Sequence, residues 1–199
     1  VDWLYFTGKL PADPIGRLFS TVCYAQQIVF AELESAHKAI DSITSIHSSV
    51  EKSRGAVIPD WAYRDVLYML IYYSIASFEV LERKLSLPEK EEVYDVFYRL
   101  GCRMQLKALP ATYAQWMVSR AYHMENDLQK GDLTLDLFKQ YKKHLGAVRF
   151  WLLLETQKLL VPKTVSKMLQ FKKHSILKGM LPVYKMSRII KMDRLIKSL

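Results

Sequence analysis

The stretch VLYMLIYYSIASF, residues 66–78, is the longest strongly apolar run without a charged residue, and it decides the fold class. Asp65 and Glu79 bound it on either side. Its 13 residues fall short of the roughly 20 that a helix needs to cross a bilayer. The helical pattern extends over residues 60–85, so the sequence predicts one long, largely buried core helix.

The composition around this helix indicates one domain. A chain of 199 residues, half of them apolar, supplies one sizeable core and is short for two domains. Seven glycines and seven prolines rarely interrupt the long amphipathic runs, a pattern typical of helices packed on helices. We therefore predict an all-α fold, a single helical domain of about seven or eight helices.

Capping patterns divide the chain into these helices. Asp13-Pro14 is a helix start, because the first amides need an acceptor and an early proline loses no helical bond. Ser86 and Thr112 each begin an S/T-x-x-E/Q capping box. The helices predicted before Pro162 cover residues 13–34, 35–52, 60–85, 88–107, 112–129 and 134–160.

Cysteine content and the N-terminus bear on the compartment. Cys23 and Cys102 lie far apart and form no zinc-binding spacing, so neither a disulfide framework nor a thiolate metal site is indicated. This favours a reducing compartment, and we expect a cytoplasmic protein. The start VDWLYFTGK lacks both a secretory signal pattern and an initiator Met, which indicates a trimmed fragment.

Positive charge is concentrated at the C-terminus. The net charge is +9, and residues 156–199 hold 11 Lys and Arg against the single acid Asp193. Such a basic amphipathic segment can pack on the domain, lie on an anionic membrane surface or contact nucleic acid. No nucleic-acid motif accompanies the charge, so we expect no nucleic-acid partner. We predict a domain over residues 1–162 and a basic segment over 163–199 packed on it, with peripheral membrane contact through this tail left open.

His47 is the first candidate for chemistry. Ile43, Ile46, His47 and Val50 share one side of the predicted helix, so the imidazole should point inward with the aliphatic groups. An inward histidine needs a partner. A carbonyl or hydroxyl would make His47 structural, whereas a metal would make it a ligand. A single histidine in an apolar pocket suits haem, because the porphyrin supplies the other four nitrogens.

A polar stripe on the helix that begins at Asp13 is the second candidate. Arg17, Thr21, Tyr24 and Ile28 lie at i, i+4, i+7 and i+11 and share one face. Their polar groups could meet a buried anion or a bound ligand. Alternatively, Arg17 extends into solvent and Thr21 hydrogen-bonds back to a main-chain carbonyl.

Two further histidines have neighbours that could chelate a metal. Glu34 and His37 form an E-x-x-H motif of the di-iron type, but the second copy that such a site requires does not occur. His123 and Asp127 are four residues apart and could hold a cation. The polar surroundings, HMENDLQKGD, predict a solvent-exposed helix face there instead. Hydrolase and nucleotide-binding motifs do not occur in the sequence.

Three stretches together resemble the haem-dependent oxygenase family that includes the fungal mpaB oxygenase and the bacterial latex-clearing rubber oxygenases. They are DPIGRLFSTVCYAQQIVFA (13–31), ITSIHSSVEKSRGAVIPD (43–60) and RKLSLPEKEEVYDVFYRLGCRMQLKALPATYAQW (83–116). The family pattern has R-L-x-x-T on an early helix and I/V-H-x-x-V further along. A Gly-containing loop then precedes a long apolar helix, and L-P-x-T opens another helix.

The resemblance implies that His47 is the proximal ligand of a haem b iron, within a globin-like helical core. Arg17 and Thr21 would line the opposite side, where dioxygen and substrate react. We expect Tyr24, Ile43 and Val50, on the same helix faces, to contact the cofactor as well. The implied function is a haem b-dependent oxygenase that acts on a hydrophobic, isoprenoid-like unsaturated substrate with dioxygen.

The chain also departs from the family pattern. Ser20 stands where rubber oxygenases carry a lysine, and Thr44 and Glu51 stand where they flank the histidine with arginines. Tyr68 takes the place of a histidine that many relatives carry on the long apolar helix. These differences count against rubber cleavage. The alternative function is a non-catalytic helical protein, with or without haem, that acts through a partner or a membrane surface.

Overall fold

The computed structural model describes residues 2–171 and 174–189, and this part of the chain contains helices and no strand. In chain order the elements are α1 (Asp2–Phe6), α2 (Lys9–Ala12), α3 (Pro14–Val29), α4 (Leu33–Arg54), α5 (Asp60–Leu81), α6 (Leu87–Arg103), α7 (Tyr113–Asn126), α8 (Asp132–Leu160), α9 (Lys163–Met168), a 3-10 helix (Ile176–Met180) and α10 (Leu181–Ile189). Seven of the α-helices have seven or more residues. The predicted all-α single domain is confirmed.

The helix starts lie where the capping residues place them. Asp13 Oδ1 accepts a 2.8 Å hydrogen bond from the Gly16 amide at the start of α3. At α6, the Glu89 carboxylate accepts a 2.8 Å bond from the Ser86 amide, and both halves of the capping box are present. Thr112 caps α7 through its side chain. Each such cap is worth about 1 kcal/mol, enough to define a helix start.

Helix α5 supplies the centre of the core. Leu67, Tyr68 and Ile71 are buried, and Ile71 is 0% exposed. They pack in one hydrophobic cluster with Tyr94 of α6 and Trp116 of α7. The spacing of three and four residues places these α5 side chains on one face. The predicted core helix is therefore confirmed on this face.

The opposite face of α5 is less buried than the sequence predicts. Val66, Met69 and Leu70 are each more than a third exposed. Uncharged residues all around a helix indicate burial only when neighbours cover every side. Among the described residues, the neighbouring helices therefore cover this face of α5 only in part.

Helix α8 bends at Gly146, which the sequence predicts only as an unbroken helix over 134–160. Gly146 has φ of 70° and ψ of 177°, outside the helical region. Glycine adopts positive φ at little cost because it has no Cβ. The helix is thereby divided into two parts that meet at a kink.

The C-terminal segment contacts the domain through a buried carboxylate. Glu155 of α8 is 3% exposed and accepts a 2.9 Å hydrogen bond from the Ile176 amide. Lys158 forms an ion pair with the same carboxylate. The contact holds the start of the 3-10 helix against α8.

A second contact joins α10 to α5, where Arg188 pairs with Glu82. The domain boundary at residue 162 stays a prediction, and residues 172, 173 and 190–199 of the predicted basic segment lie outside the described residues. In the part that is described, none of the helices combines the length and the apolar character that a bilayer span requires.

Candidate functional site

Helix α4 places His47 beside the start of α5. The imidazole is half-buried, and its ring centroid lies 5.2 Å from that of Tyr63. Ile43 and Val50 of the predicted inward stripe are half-buried, whereas Ile46 is 44% exposed. The stripe therefore faces a partly open region, and the prediction that Ile46 points inward is wrong. Its pattern assumed a neighbour that does not lie over this turn of α4.

The nitrogens of His47 have no protein partner among the described residues. Nδ1 is fully buried, and it neither accepts nor donates a hydrogen bond among the residues that the structure describes. Buried polar atoms without a partner are uncommon, because desolvation is then uncompensated. The geometry therefore does not fit the first alternative, in which a structural His47 hydrogen-bonds to a carbonyl or a hydroxyl. The orphaned nitrogen fits a residue whose partner is a bound group.

Charges around His47 favour the neutral imidazole. Burial lowers the pKa of His47, the Arg17 guanidinium lowers it further, and the Glu51 carboxylate opposes both effects. The neutral ring carries a free lone pair, which is the form that ligates a metal. The site is therefore electrostatically suited to hold a metal centre through one imidazole.

Arg17 and Thr21 lie on α3, which packs along α4 after the connection at residues 30–32. Arg17 Nη1 donates to Thr21 Oγ1 at 3.0 Å and to Ser20 Oγ at 3.3 Å. The Thr21 hydroxyl donates back to the Arg17 carbonyl at 3.0 Å. The bond to the carbonyl is one of the two arrangements that the sequence left open. Arg17 is nevertheless close enough to lower the pKa of His47, although Arg17 and Thr21 are both exposed on α3.

The other residues expected at a cofactor divide between two places. Tyr24 on α3 and Ile43 on α4 are half-buried. Val50 lines an open cavity of about 270 Å³, to whose wall Thr7 and Lys9 also contribute. This cavity lies on a neighbouring face of α4, and neither Arg17 nor His47 lines it. A direct contact between Val50 and a cofactor at His47 stays a prediction.

The E-x-x-H motif on α4 engages in ordinary surface pairing. Glu34 forms a 2.7 Å ion pair with Lys38, and both side chains are largely exposed. Within residues 2–171 and 174–189, no group of three or more His, Cys, Asp or Glu could together hold a metal ion. A haem iron takes only one side chain on a face, so this finding concerns chelate sites and leaves His47 unaffected.

The expectation of a solvent-exposed face at His123 is wrong. His123 is 8% exposed, its Nδ1 lies 2.8 Å from Asp127 Oδ2, and its Nε2 lies 2.8 Å from Asp65 Oδ1. The spacing of four residues indicates the contact with Asp127. Asp65 comes from α5, and no local pattern could reveal it. His123 bridges two helices through its two nitrogens.

Tyr68, which replaces a histidine of many relatives, is also part of the interior. It is 4% exposed, and its hydroxyl lies 2.9 Å from Ser119 Oγ of α7. Its ring meets that of Trp116 edge to face, with centroids 6.3 Å apart. This position therefore serves helix packing.

The described chain is an all-α protein in which a half-buried histidine with an orphaned nitrogen lies near an arginine of the preceding helix. A family model described as the catalytic domain of ER-bound oxygenase mpaB/B'/rubber oxygenase matches residues 5–184. The chain belongs to this family of oxygenase catalytic domains. No curated protein and no solved structure matches it.

Proposed function

We propose that the chain is a haem b-dependent oxygenase in which His47 would hold the iron through one imidazole nitrogen. The observation that carries this proposal is the buried Nδ1 of His47, which lacks a partner among the described residues. The lowered pKa of the ring keeps it in the ligating form. Membership of the oxygenase family supports the same assignment.

The haem would supply the redox chemistry that activates dioxygen. The chain's own residues would bind and orient it and donate hydrogen bonds. Tyr24 and Ile43 offer half-buried surface beside the site. Arg17 has guanidinium N–H groups beyond the one used by Ser20 and Thr21, and these can donate to an oxygen atom of a bound molecule.

The proposed substrate is hydrophobic and unsaturated, of an isoprenoid-like class, with dioxygen as the second reactant. Leu18, Phe19 and Val22 lie on α3 between and beside Arg17 and Thr21, and each is more than 40% exposed. Such an apolar surface next to polar donors favours a lipid-like molecule over a charged one. Ser20 offers no cation at this point, which argues for a substrate other than rubber.

An absorption spectrum of the purified chain, reconstituted with haem, tests the proposal. We expect a Soret band that the His47→Ala variant loses. The matched control is His37→Ala, on the same helix and also half-buried, which should keep the band. Oxygen uptake with an isoprenoid alkene should disappear with the band. Unchanged haem binding in His47→Ala would contradict the assignment.

A second candidate function is contact with a membrane surface without turnover. Exposed apolar side chains, each more than 60% exposed, follow one another at spacings of three and four along the 3-10 helix and α10. They are Ile176, Met180, Val183 and Met186. Lys178, Lys185 and Arg188 lie among them, a pattern typical of helices that lie on anionic lipid. The family description itself names an ER-bound oxygenase.

Co-sedimentation with anionic vesicles tests this second candidate. The double substitution Met180→Glu and Val183→Glu should abolish sedimentation, whereas Val148→Glu, on the exposed surface of α8, should leave it unchanged. We place such contact on the cytoplasmic side of a membrane. If the unmodified chain and both variants sediment equally, the 3-10 helix and α10 do not form the membrane contact.

A further inference from the structure

A second cavity, of about 250 Å³, lies between α5, α7, the start of α8 and α9. None of the residues proposed for the haem site lines it. Its apolar wall is built from long flexible side chains together with smaller aliphatic ones. They are Met69, Met124, Leu128, Val165, Met168 and Leu169. Methionine-rich walls adapt to the shape of an apolar ligand.

Arg120 of α7 places a cation in this wall. Its guanidinium carbon lies 3.9 Å from the centroid of the Tyr72 ring and 5.8 Å from that of Trp116. The side chain is half-buried, and it forms no hydrogen bond or ion pair within residues 2–171 and 174–189. Aromatic faces offset part of the cost of burying this charge, but they leave its N–H donors unused.

The acidic residue of the cavity lining is already engaged. Asp65 Oδ1 lies 2.8 Å from His123 Nε2, and the other ring nitrogen of His123 is taken by Asp127. Neither carboxylate makes a hydrogen bond to Arg120. Lys130 adds a second cation to the lining. The cavity thus combines an apolar wall with two cationic groups that make no hydrogen bond to a protein carboxylate among the described residues, although Asp65 acts on Arg120 through space.

We propose that this cavity binds a carboxylate-bearing amphiphile of the fatty-acid class. The carboxylate would accept two parallel hydrogen bonds from the Arg120 guanidinium, whose fork geometry matches two carboxylate oxygens. The acyl chain would lie along the methionine and leucine side chains. The cavity volume suits a short or medium chain. The site is independent of the haem proposal, since it uses none of the same residues.

Calorimetric titration of the purified chain with octanoate tests this site. Octanoate should bind, and octanol, which has the same tail without the charge, should bind at least about tenfold more weakly. The Arg120→Gln variant should weaken octanoate binding by about tenfold or more while leaving octanol unchanged. Arg120→Lys keeps a charge and should recover part of the affinity. Acetate, a head group without a tail, should not bind measurably.

Two controls keep the result interpretable. Arg149→Gln removes an exposed arginine from α8 and should not alter octanoate binding. His47→Ala should not alter it either, so a failure of the haem proposal would be visible separately. Equal affinity for octanoate and octanol would overturn the proposal. An Arg120→Gln variant that binds octanoate as the unmodified chain does would also overturn it.

Discussion

His123 Nε2 of α7 and Asp65 Oδ1 of α5 lie 2.8 Å apart, in a partly buried contact between the two helices. The contact connects the helix that carries the main core to the helix that carries Arg120. With Asp127 on its other nitrogen, His123 has both hydrogen-bonding positions satisfied. Replacing it leaves two carboxylates without their shared partner.

The His123→Ala variant should therefore be less stable by about 0.5–1.5 kcal/mol, the net contribution of a lost hydrogen bond, because Asp65 and Asp127 are more than a third exposed and water can replace the imidazole. Urea denaturation followed by circular dichroism measures the difference. His144→Ala, which removes an exposed histidine from α8, is the matched control and should change stability by less than about 0.5 kcal/mol. Similar stabilities of the two variants would show that the bridge contributes nothing.

Two charges near His47 should shift its titration in opposite directions. Because the Arg17 guanidinium lowers the pKa of His47, Arg17→Gln should raise it. Because the Glu51 carboxylate raises that pKa, Glu51→Gln should lower it. Titration of the imidazole signals by NMR in the haem-free chain measures both changes. Shifts of the same sign in the two variants would contradict the arrangement of α3 beside α4.

Acid should destabilise the domain through Glu79. Hydrogen bonds from Lys84, Lys90 and the Leu85 amide lower the pKa of Glu79 to about 2, against the opposing effect of burial. A carboxyl whose pKa is lower in the folded state stabilises the fold above its unfolded pKa of about 4.5 and loses this contribution as the pH falls toward 2. Glu79→Gln should flatten the loss of stability over this range.

Denaturation curves between pH 5 and about pH 2 measure the effect of Glu79. Glu125→Gln, an exposed carboxylate on α7, serves as the control and should keep the acid dependence of the unmodified chain. If both variants retain the same dependence, the lysine pairs do not link Glu79 to folding.

Glu155 should control access to the C-terminal segment. Its carboxylate holds the Ile176 amide at 2.9 Å and pairs with Lys158. Glu155→Ala should increase the rate of proteolytic cleavage after residue 162 by about tenfold, since local opening determines cleavage. Thr156→Ala, an exposed neighbour, should not. Equal cleavage rates would show that other contacts hold the segment.

Local signals in the sequence predict the helix starts and the inward position of His47 on α4. Asp13, Ser86 and Thr112 act within one turn, so their effect can be read without knowing the fold. The resemblance to the oxygenase family connects Arg17 with His47 before any geometry is known.

Contacts between helices cannot be predicted from such local signals. Asp65 and His123 are 58 residues apart, and no periodicity relates them. The polar run around His123 therefore predicts a solvent-exposed side chain. In the structure the imidazole is buried and contacts Asp65 of α5. The exposure of Ile46 has a related cause, because an apolar position predicts burial only if another element packs over it.

The bend at Gly146 gives α8 two separate surroundings. Before the bend, Asp136 accepts a 3.1 Å hydrogen bond from the Tyr5 hydroxyl, and after it Glu155 holds Ile176. A straight helix of the same length would extend about 44 Å, and both contacts would then lie along one helix axis. The positive φ of this one glycine thus orients α1 relative to the segment that follows α9. A β-branched residue at this position would change that orientation without altering either attachment point.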